Sequence, residues 1–284
     1  ASQGEAAVHL ARRYFESDRI HPDLARRDRV LECRSGCQPG RSDCQSDLHI
    51  RLVVLDMDGT LIGPDLVVSP RLRRAIAAAQ ERGVAVTLAT GRMFDFVRPF
   101  ARDLGITVPF ISYQGGLIQA ADGPPIYRAT MERTLVREVL ELCAQRGWRP
   151  VLYADDEVYL TERDRPESFY RYMLGERLVW VDDLARVVEE HEPLKFIIFV
   201  EPQEAAKVET ELRQRFAGRM SVVRSHELIV EGNPLGAAKI DALRRLAAHL
   251  GMTRAEVMVV GDQDNDAEMI AWAGVGVAMG NGSP

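Results

Sequence analysis

Two aspartates, Asp56 and Asp58, close the apolar run Leu52-Val53-Val54-Leu55 in the stretch RLVVLDMDGTLIG (residues 51–63). The run reads as a buried strand, and such strands commonly finish in neutral turn chemistry. Here two like charges follow at once, about 6–7 Å apart along an extended chain. A third carboxylate, Asp262, ends a second apolar run, EVMVVGD (256–262), with Gln263, Asp264, Asn265 and Asp266 behind it. A hydroxyl, Thr90, ends a third, VAVTLAT (84–90), followed by Gly91 and Arg92. In an open α/β sheet, ligands bind beyond the carboxyl ends of the strands, so these distant segments are expected to converge. Carboxylates gathered there repel one another unless a cation sits among them. An all-oxygen set suits a hard ion, and Mg²⁺ binds through one or two carboxylates with phosphate and water. Lys239, expected one turn into a helix that returns to the sheet, is placed to offset the remaining charge.

The elements that must position these groups alternate. SPRLRRAIAAAQERG carries a helix signal: Ser69 as N-cap, Pro70 at the first position, apolar Leu72, Ile76 and Ala79, and Gly83 as the stop. Residues 93–104 read as a helix with Pro99 inside it, and VPFIS (108–112) as a third strand of the same sheet. Near-continuous apolar strands alternating with helices indicate an α/β, Rossmann-like parallel sheet with helices on both faces. The middle of the chain differs. A helix (131–146) leads to the hairpin RPVLYADDEVYLT, then the strand PLKFIIFV, a helix (203–217) and a second hairpin, MSVVRSHELIVEG. This is the pattern of an α+β module inserted into the α/β sheet. Helix 237–250, strand 256–262, helix 264–272 and strand 274–279 resume the sheet. The expected domains are a loosely ordered extension (1–49, with a helix over 5–16), a core of 50–130 and 232–284, and a cap of 131–231.

Composition excludes several classes. The 284 residues are 27% charged and 46% hydrophobic with a formal net charge of −6, which argues against a nucleic-acid partner. The basic stretch Arg12 to Arg34 is interleaved with acids and reads as solvated surface. No run of about 18 apolar residues is present to span a membrane, and the opening residues lack the order of a secretory signal. Cys33, Cys37 and Cys44 are spaced C-x3-C-x6-C beside His49, which matches none of the common zinc patterns; with Cys143 they read as free thiols in a reducing cytoplasm. DQDND fails as a calcium loop, because Ala267 and Ala273 stand where Gly and Glu are needed. GVGVAMG lacks the glycine spacing of a dinucleotide fingerprint. His191 and His226 read as polar surface or hairpin residues.

DMDGT, the Thr90 of TLATGR, Lys239 and GDQDND resemble, in order, the four motifs of the haloacid dehalogenase superfamily. The likeness is closest to its Cof-like (type IIB) phosphatase branch, which carries a large α/β cap between the second and third motifs. EGNPLGAAK resembles that branch's lead-in to the lysine, with Glu231, Pro234, Gly236 and Lys239 in register, and GVAMGNG its tail. The resemblance covers roughly residues 50–284. It implies that Asp56 attacks phosphorus and forms an aspartyl-phosphate. It implies that Asp58 protonates the leaving oxygen and then activates water. Gly59, Thr90, Gly91, Arg92, Lys239 and Asn265 would bind the phosphoryl group, and Mg²⁺ would sit on Asp56, the Asp58 carbonyl, Asp262 and Asp266. P-type ATPases, as a family, carry Thr in the place of Asp58 and keep a long-lived phosphoenzyme; an acid/base there implies rapid hydrolysis.

The expected function is therefore Mg²⁺-dependent hydrolysis of a small phosphomonoester such as a sugar phosphate, nucleotide or phosphorylated cofactor, by a monomer or homodimer. A phosphosugar mutase and an inactive binding module are the alternatives. Asp155, Asp156, Glu157 and Tyr159 of the first cap hairpin are candidates for specificity, and a polar turn also accounts for them. The sequence departs from the family in three places. Gln114 of YQGG replaces an Asn, which implies altered substrate contacts. Ile240 follows the lysine where Gly is common, which implies a shifted helix start. The chain stops at Pro284, before a further strand and helix, which implies a truncated edge.

Overall fold

A computed structural model describes residues 49–282, apart from residues 162, 164 and 227. In chain order the elements are β1 (Leu52–Leu55), α1 (Pro70–Gln80), β2 (Ala85–Leu88), α2 (Phe94–Asp103), β3 (Phe110–Ser112), β4 (Leu117–Gln119) and β5 (Pro125–Arg128). There follow α3 (Arg133–Arg146), β6 (Arg149–Ala154), β7 (Glu157–Leu160), α4 (Glu167–Leu174), β8 (Leu178–Trp180), α5 (Leu184–Glu190), β9 (Pro193–Phe199) and α6 (Pro202–Arg215). The last are β10 (Ser221–His226), β11 (Ile229–Asn233), α7 (Lys239–His249), β12 (Val257–Gly261), α8 (Ala267–Trp272) and β13 (Val275–Ala278). The expected helix over 5–16 and the cysteines 33, 37 and 44 lie outside the described residues.

The chain divides into two compact units: residues up to 89, 103–108 and 244 onward, and residues 90–102 and 109–243. The second unit is wider than the 131–231 segment, taking in residues on both sides of it. The first unit holds a parallel sheet in the order β13-β12-β1-β2. Its central strands are continuous apolar runs because both faces are covered: Leu52, Val53, Val54, Val257, Met258 and Val259 are wholly buried. Helix α1 starts as its sequence dictates, with the Ser69 hydroxyl accepting from Leu72 N at 3.2 Å and Leu72, Ile76 and Ala79 buried on one face.

In the second unit a six-stranded sheet runs β10-β11-β9-β6-β7-β8, antiparallel except for the β7–β8 pair. Its buried side carries Leu152, Phe196, Ile198 and Val230 against Val136, Val139, Leu142 and Leu212 of α3 and α6. Cys143 is a free thiol in this packing, and burial pushes its pKa up to about 12.

Residues 110–112 form β3 as a strand, which pairs antiparallel with β4, and β4 with β5. A tight turn over Tyr113–Gly115 reverses the chain, with φ of 51°, 58° and 108° at Tyr113, Gln114 and Gly115. Helix α2 continues through Pro99 without splitting. Lys239 is the first residue of its helix rather than one turn inside it, because the Pro234 carbonyl accepts from Ala237 N and Gly236 takes φ +71°, which delays the helix. Helices α4 and α5 and strand β8 carried too short a period to be read from sequence. Among the described residues, no helix is long and apolar enough to cross a membrane.

Candidate active site

In the first unit the parallel register pairs Leu55 with Val260, and Asp56 N donates to Val260 O at 2.9 Å. That register delivers Asp56 and Asp262 side by side beyond the ends of β1 and β12. Asp266 joins them from the single 3-10 turn Asp264–Asp266, where its Oδ2 accepts from Asp262 N and Gln263 N, both at 3.2 Å. One carboxylate oxygen from each of Asp56, Asp262 and Asp266 lies within 4.8 Å of the other two, and all three residues are buried. The Asp58 carboxylate is not in this trio; its residue is exposed. The carboxylate grouping is thus narrower than the expected metal set, in which Asp58 entered through its main-chain carbonyl. Asn265 sits half-buried in the same turn.

Asp262 is held by neutral donors: Thr60 Oγ1 at 3.0 Å on Oδ1, and Gln263 Nε2 at 2.9 Å and Asn281 Nδ2 at 3.4 Å on Oδ2. Asn281 also donates to Gly59 O at 3.0 Å. Gly59 has φ +86°, and a Cβ there would stand 2.2 Å from Asp262 Oδ2. Only glycine permits both the turn and the approach. Burial raises the Asp262 carboxyl above its ordinary value; the Gln263 and Thr60 hydrogen bonds oppose this and the Asp266 charge adds to it. Three buried carboxylates in so small a space fit a hard divalent cation, whose charge would oppose that rise by favouring the ionised form.

In the second unit the Thr90–Arg92 loop is fixed at almost every main-chain group. Thr90 N donates to Ile111 O, Gln114 N to Thr90 O and Tyr113 N to Arg92 O, each at 3.0 Å. Arg92 N donates to Thr90 Oγ1 at 3.1 Å, and Lys195 Nζ to Gly91 O at 3.0 Å. The Arg92 guanidinium turns to the closing carbonyls of α4, Tyr172 O at 3.1 Å and Met173 O at 3.4 Å, and lies over the Phe96 ring. Gln114 is buried against Gly91, where a Cβ would meet its Nε2 at 2.5 Å. Lys239 is buried, and Gly115 packs so close to the preceding Ala238 carbonyl that a Cβ would lie 2.4 Å from it.

The cap-hairpin candidates form a two-residue turn with φ of 47° at Asp155 and 68° at Asp156, the geometry that matches strand twist. Asp155 meets His191 Nδ1 at 3.0 Å, and Asp156 accepts from Tyr113 OH at 3.3 Å. Arg128 lies 3.8 Å from the first carboxylate and 3.9 Å from the second. Tyr159 OH lies 3.4 Å from His191 Nε2, and Glu157 pairs with Arg177.

Sequence reasoning missed Thr60, Gln263, Asn281 and Lys195. Thr60 and Gln263 lay inside the motifs already quoted. Asn281 and Lys195 gave no signal beyond a lone amide in a glycine-rich tail and a lone charge in an apolar strand.

A parallel α/β sheet with an acidic cluster beyond two adjacent strands is a site that could hold a metal ion. The profile of the haloacid dehalogenase-like hydrolases matches residues 53–284, and the chain belongs to that family. It is 33% identical over 236 residues to an HMP-PP phosphatase of Serratia proteamaculans, covering 82% of this chain and 85% of that protein. It is 29% identical over 238 residues to the 5-amino-6-(5-phospho-D-ribitylamino)uracil phosphatase YcsE of Bacillus subtilis, covering 84% and 86%. A haloacid dehalogenase-like hydrolase from Bacteroides thetaiotaomicron superposes with a TM-score of 0.74 at 29% identity, over 82% of this chain and 90% of that one. The Cof-like phosphatase assignment therefore holds: the chain is a phosphoric monoester hydrolase of this family.

Proposed function

We propose that the protein is a cytoplasmic, Mg²⁺-dependent phosphatase that hydrolyses a small phosphorylated metabolite through an aspartyl-phosphate on Asp56. The observation that carries this reading is the cluster of Asp56, Asp262 and Asp266 oxygens within 4.8 Å of one another. Mg²⁺ would be held by these carboxylates and the Asp58 main-chain carbonyl, where it would offset charge on the nucleophile and the phosphoryl oxygens. An Asp56 carboxylate oxygen attacks phosphorus as the ester P–O bond breaks. Asp58, exposed and outside the trio, delivers its proton to the leaving oxygen. In the second step Asp58 takes a proton from water, whose oxygen displaces the Asp56 carboxylate and releases inorganic phosphate. Thr90, the Gly91 N–H and Lys239 hold phosphoryl oxygens, supplying the positioning and charge neutralisation on which phosphoryl transfer depends.

The named activities of the relatives favour a small metabolite, and the substrate panel starts from HMP-PP and 5-amino-6-(5-phospho-D-ribitylamino)uracil. The test is phosphate release from that panel and from p-nitrophenyl phosphate, with and without Mg²⁺, beside Asp56→Asn. Metal-dependent release that Asp56→Asn abolishes is the expected result. Equal release by wild type and Asp56→Asn overturns the reading.

A further inference from the structure

The second unit contains a buried ion pair that the proposed chemistry does not use. Lys195 of β9 and Glu231 of β11 are 2% and 4% exposed, and Lys195 Nζ lies 3.0 Å from Glu231 Oε2. Glu231 stands opposite Ile197, two residues from Lys195, so both side chains project from one face of the sheet. Ser225 Oγ donates to the other Glu231 oxygen. The ammonium lies 4.8 Å from the centre of the Tyr153 ring. Burying such a pair is seldom a gain in stability over apolar residues of the same size. Its retention in the middle of a sheet calls for another reason.

The third partner of the ammonium supplies one. Lys195 Nζ donates to the Gly91 carbonyl at 3.0 Å. The Gly91 carbonyl and the Arg92 N–H belong to one planar trans peptide and point to opposite sides of it. That N–H donates to Thr90 Oγ1 at 3.1 Å. Fixing the carbonyl therefore fixes the N–H, and the N–H occupies one lone pair of the threonine hydroxyl. The hydroxyl proton is then directed away from the peptide. A Cβ at residue 91 would press on the Gln114 side-chain amide at 2.5 Å, and a glycine peptide rotates freely unless something holds it. Lys195 holds its carbonyl side.

We propose that Lys195, aimed by Glu231, is a positioning residue that orients the Gly91–Arg92 peptide and, through it, the Thr90 hydroxyl toward a phosphoryl oxygen. The inference rests on the phosphatase reading above, in which Thr90 holds that oxygen. Lys195 acts only through the peptide, so its contribution exists only while Thr90 has a hydroxyl.

A double-mutant cycle on the full chain tests this. The neutral pair Lys195→Met with Glu231→Gln, which strands no buried charge, is combined with Thr90→Ala, and rates are corrected for the folded fraction. In the Thr90 background, kcat is expected to fall about 10–100-fold with KM within about threefold, the scale of a misplaced reacting group. In the Thr90→Ala background the same change is expected to cost less than about threefold. Lys195→Arg, which keeps a charge and a donor, is expected to recover the rate to within about fivefold, with its remaining deficit also absent once Thr90 is Ala. Equal losses in both backgrounds, or a loss fully accounted for by the folded fraction, overturn the proposal. The underlying reading is checked separately, by wild-type release of phosphate and its loss in Asp56→Asn. If the wild type releases none, that reading fails, and calorimetric binding of inorganic phosphate across the same cycle decides the positioning claim. Additive losses of phosphate affinity, or no binding by the wild type, overturn it.

Discussion

Beyond the ends of β1 and β12, three buried carboxylates share a space no wider than 4.8 Å; in the sheet of the second unit, the buried Glu231 carboxylate faces the Lys195 ammonium at 3.0 Å. Both regions bury charge, and they do so with opposite arithmetic. The second cluster is neutral and complete within the chain. The first carries like charges, and Asp262 accepts from a hydroxyl and two amides, which bring no positive charge. A cluster of like charges in so small a space suits a cation added from outside. A compensated one is built to hold its surroundings still.

The comparison breaks most visibly at the nucleophile. Asp56→Asn is expected to lower phosphate release by at least about three orders of magnitude, as loss of an attacking group does, measured by phosphate assay on folded protein. The next largest effect is on stability. Lys195→Met alone strands the Glu231 carboxylate in the interior and is expected to cost about 3–5 kcal/mol in urea denaturation. Added Mg²⁺ is expected to stabilise the wild type by about 2.7 kcal/mol at a hundredfold excess over its dissociation constant. Asp56→Asn is expected to lose most of that gain, and a thermal melt with and without chelator reads both.

Removing a charge from the acidic trio is expected to have the opposite sign to removing one from the ion pair. Without metal, Asp56→Asn is expected to be more stable than the wild type by about 1–2 kcal/mol, since like charges at about 4 Å repel by a few kcal/mol at an effective dielectric of about 20. A metal-free destabilisation instead would mean that the trio is already compensated and that the contrast is false.

The smallest effect lies away from both clusters. Glu256 caps the turn before β12: it accepts from Thr253 N at 2.7 Å and pairs with Arg51 at 3.0 Å. The Thr253 main-chain hydrogen bond, then Arg51 and the Thr253 hydroxyl, hold its pKa down from 4.5 to about 2. A carboxyl depressed by folding contributes stability above its unfolded pKa and loses it as pH falls. The gap between wild type and Glu256→Gln is therefore expected to be full at neutral pH, to shrink from about 4.5 downward and to close near 2. Denaturation across that range measures it.

Much of the candidate site was legible in the chain because its signals are local. Asp56, Asp262 and Asp266 end or follow apolar strands, and the spacing that makes a strand also says where it stops. Ser69 and Pro70 announced α1 for the same reason. Strands β4 and β5 were not legible, because Leu117–Gln119 and Pro125–Arg128 show neither a continuous apolar run nor a sustained alternation. Nor was Lys239's place at the start of α7, which depends on the turn ahead of it.

The sequence by itself determined the alternation of strands and helices, the carboxylates at the strand ends and the family to which the chain belongs. Tertiary structure gave Gly59 a second reason beside its φ of +86°, because a Cβ there would meet Asp262, some two hundred residues on. It likewise decided that a lysine in an apolar strand holds the Gly91 peptide, 104 residues earlier in the chain. Periodicity and capping are short-range consequences of backbone geometry, whereas a close approach or a buried charge pair exists only once distant segments share one interior.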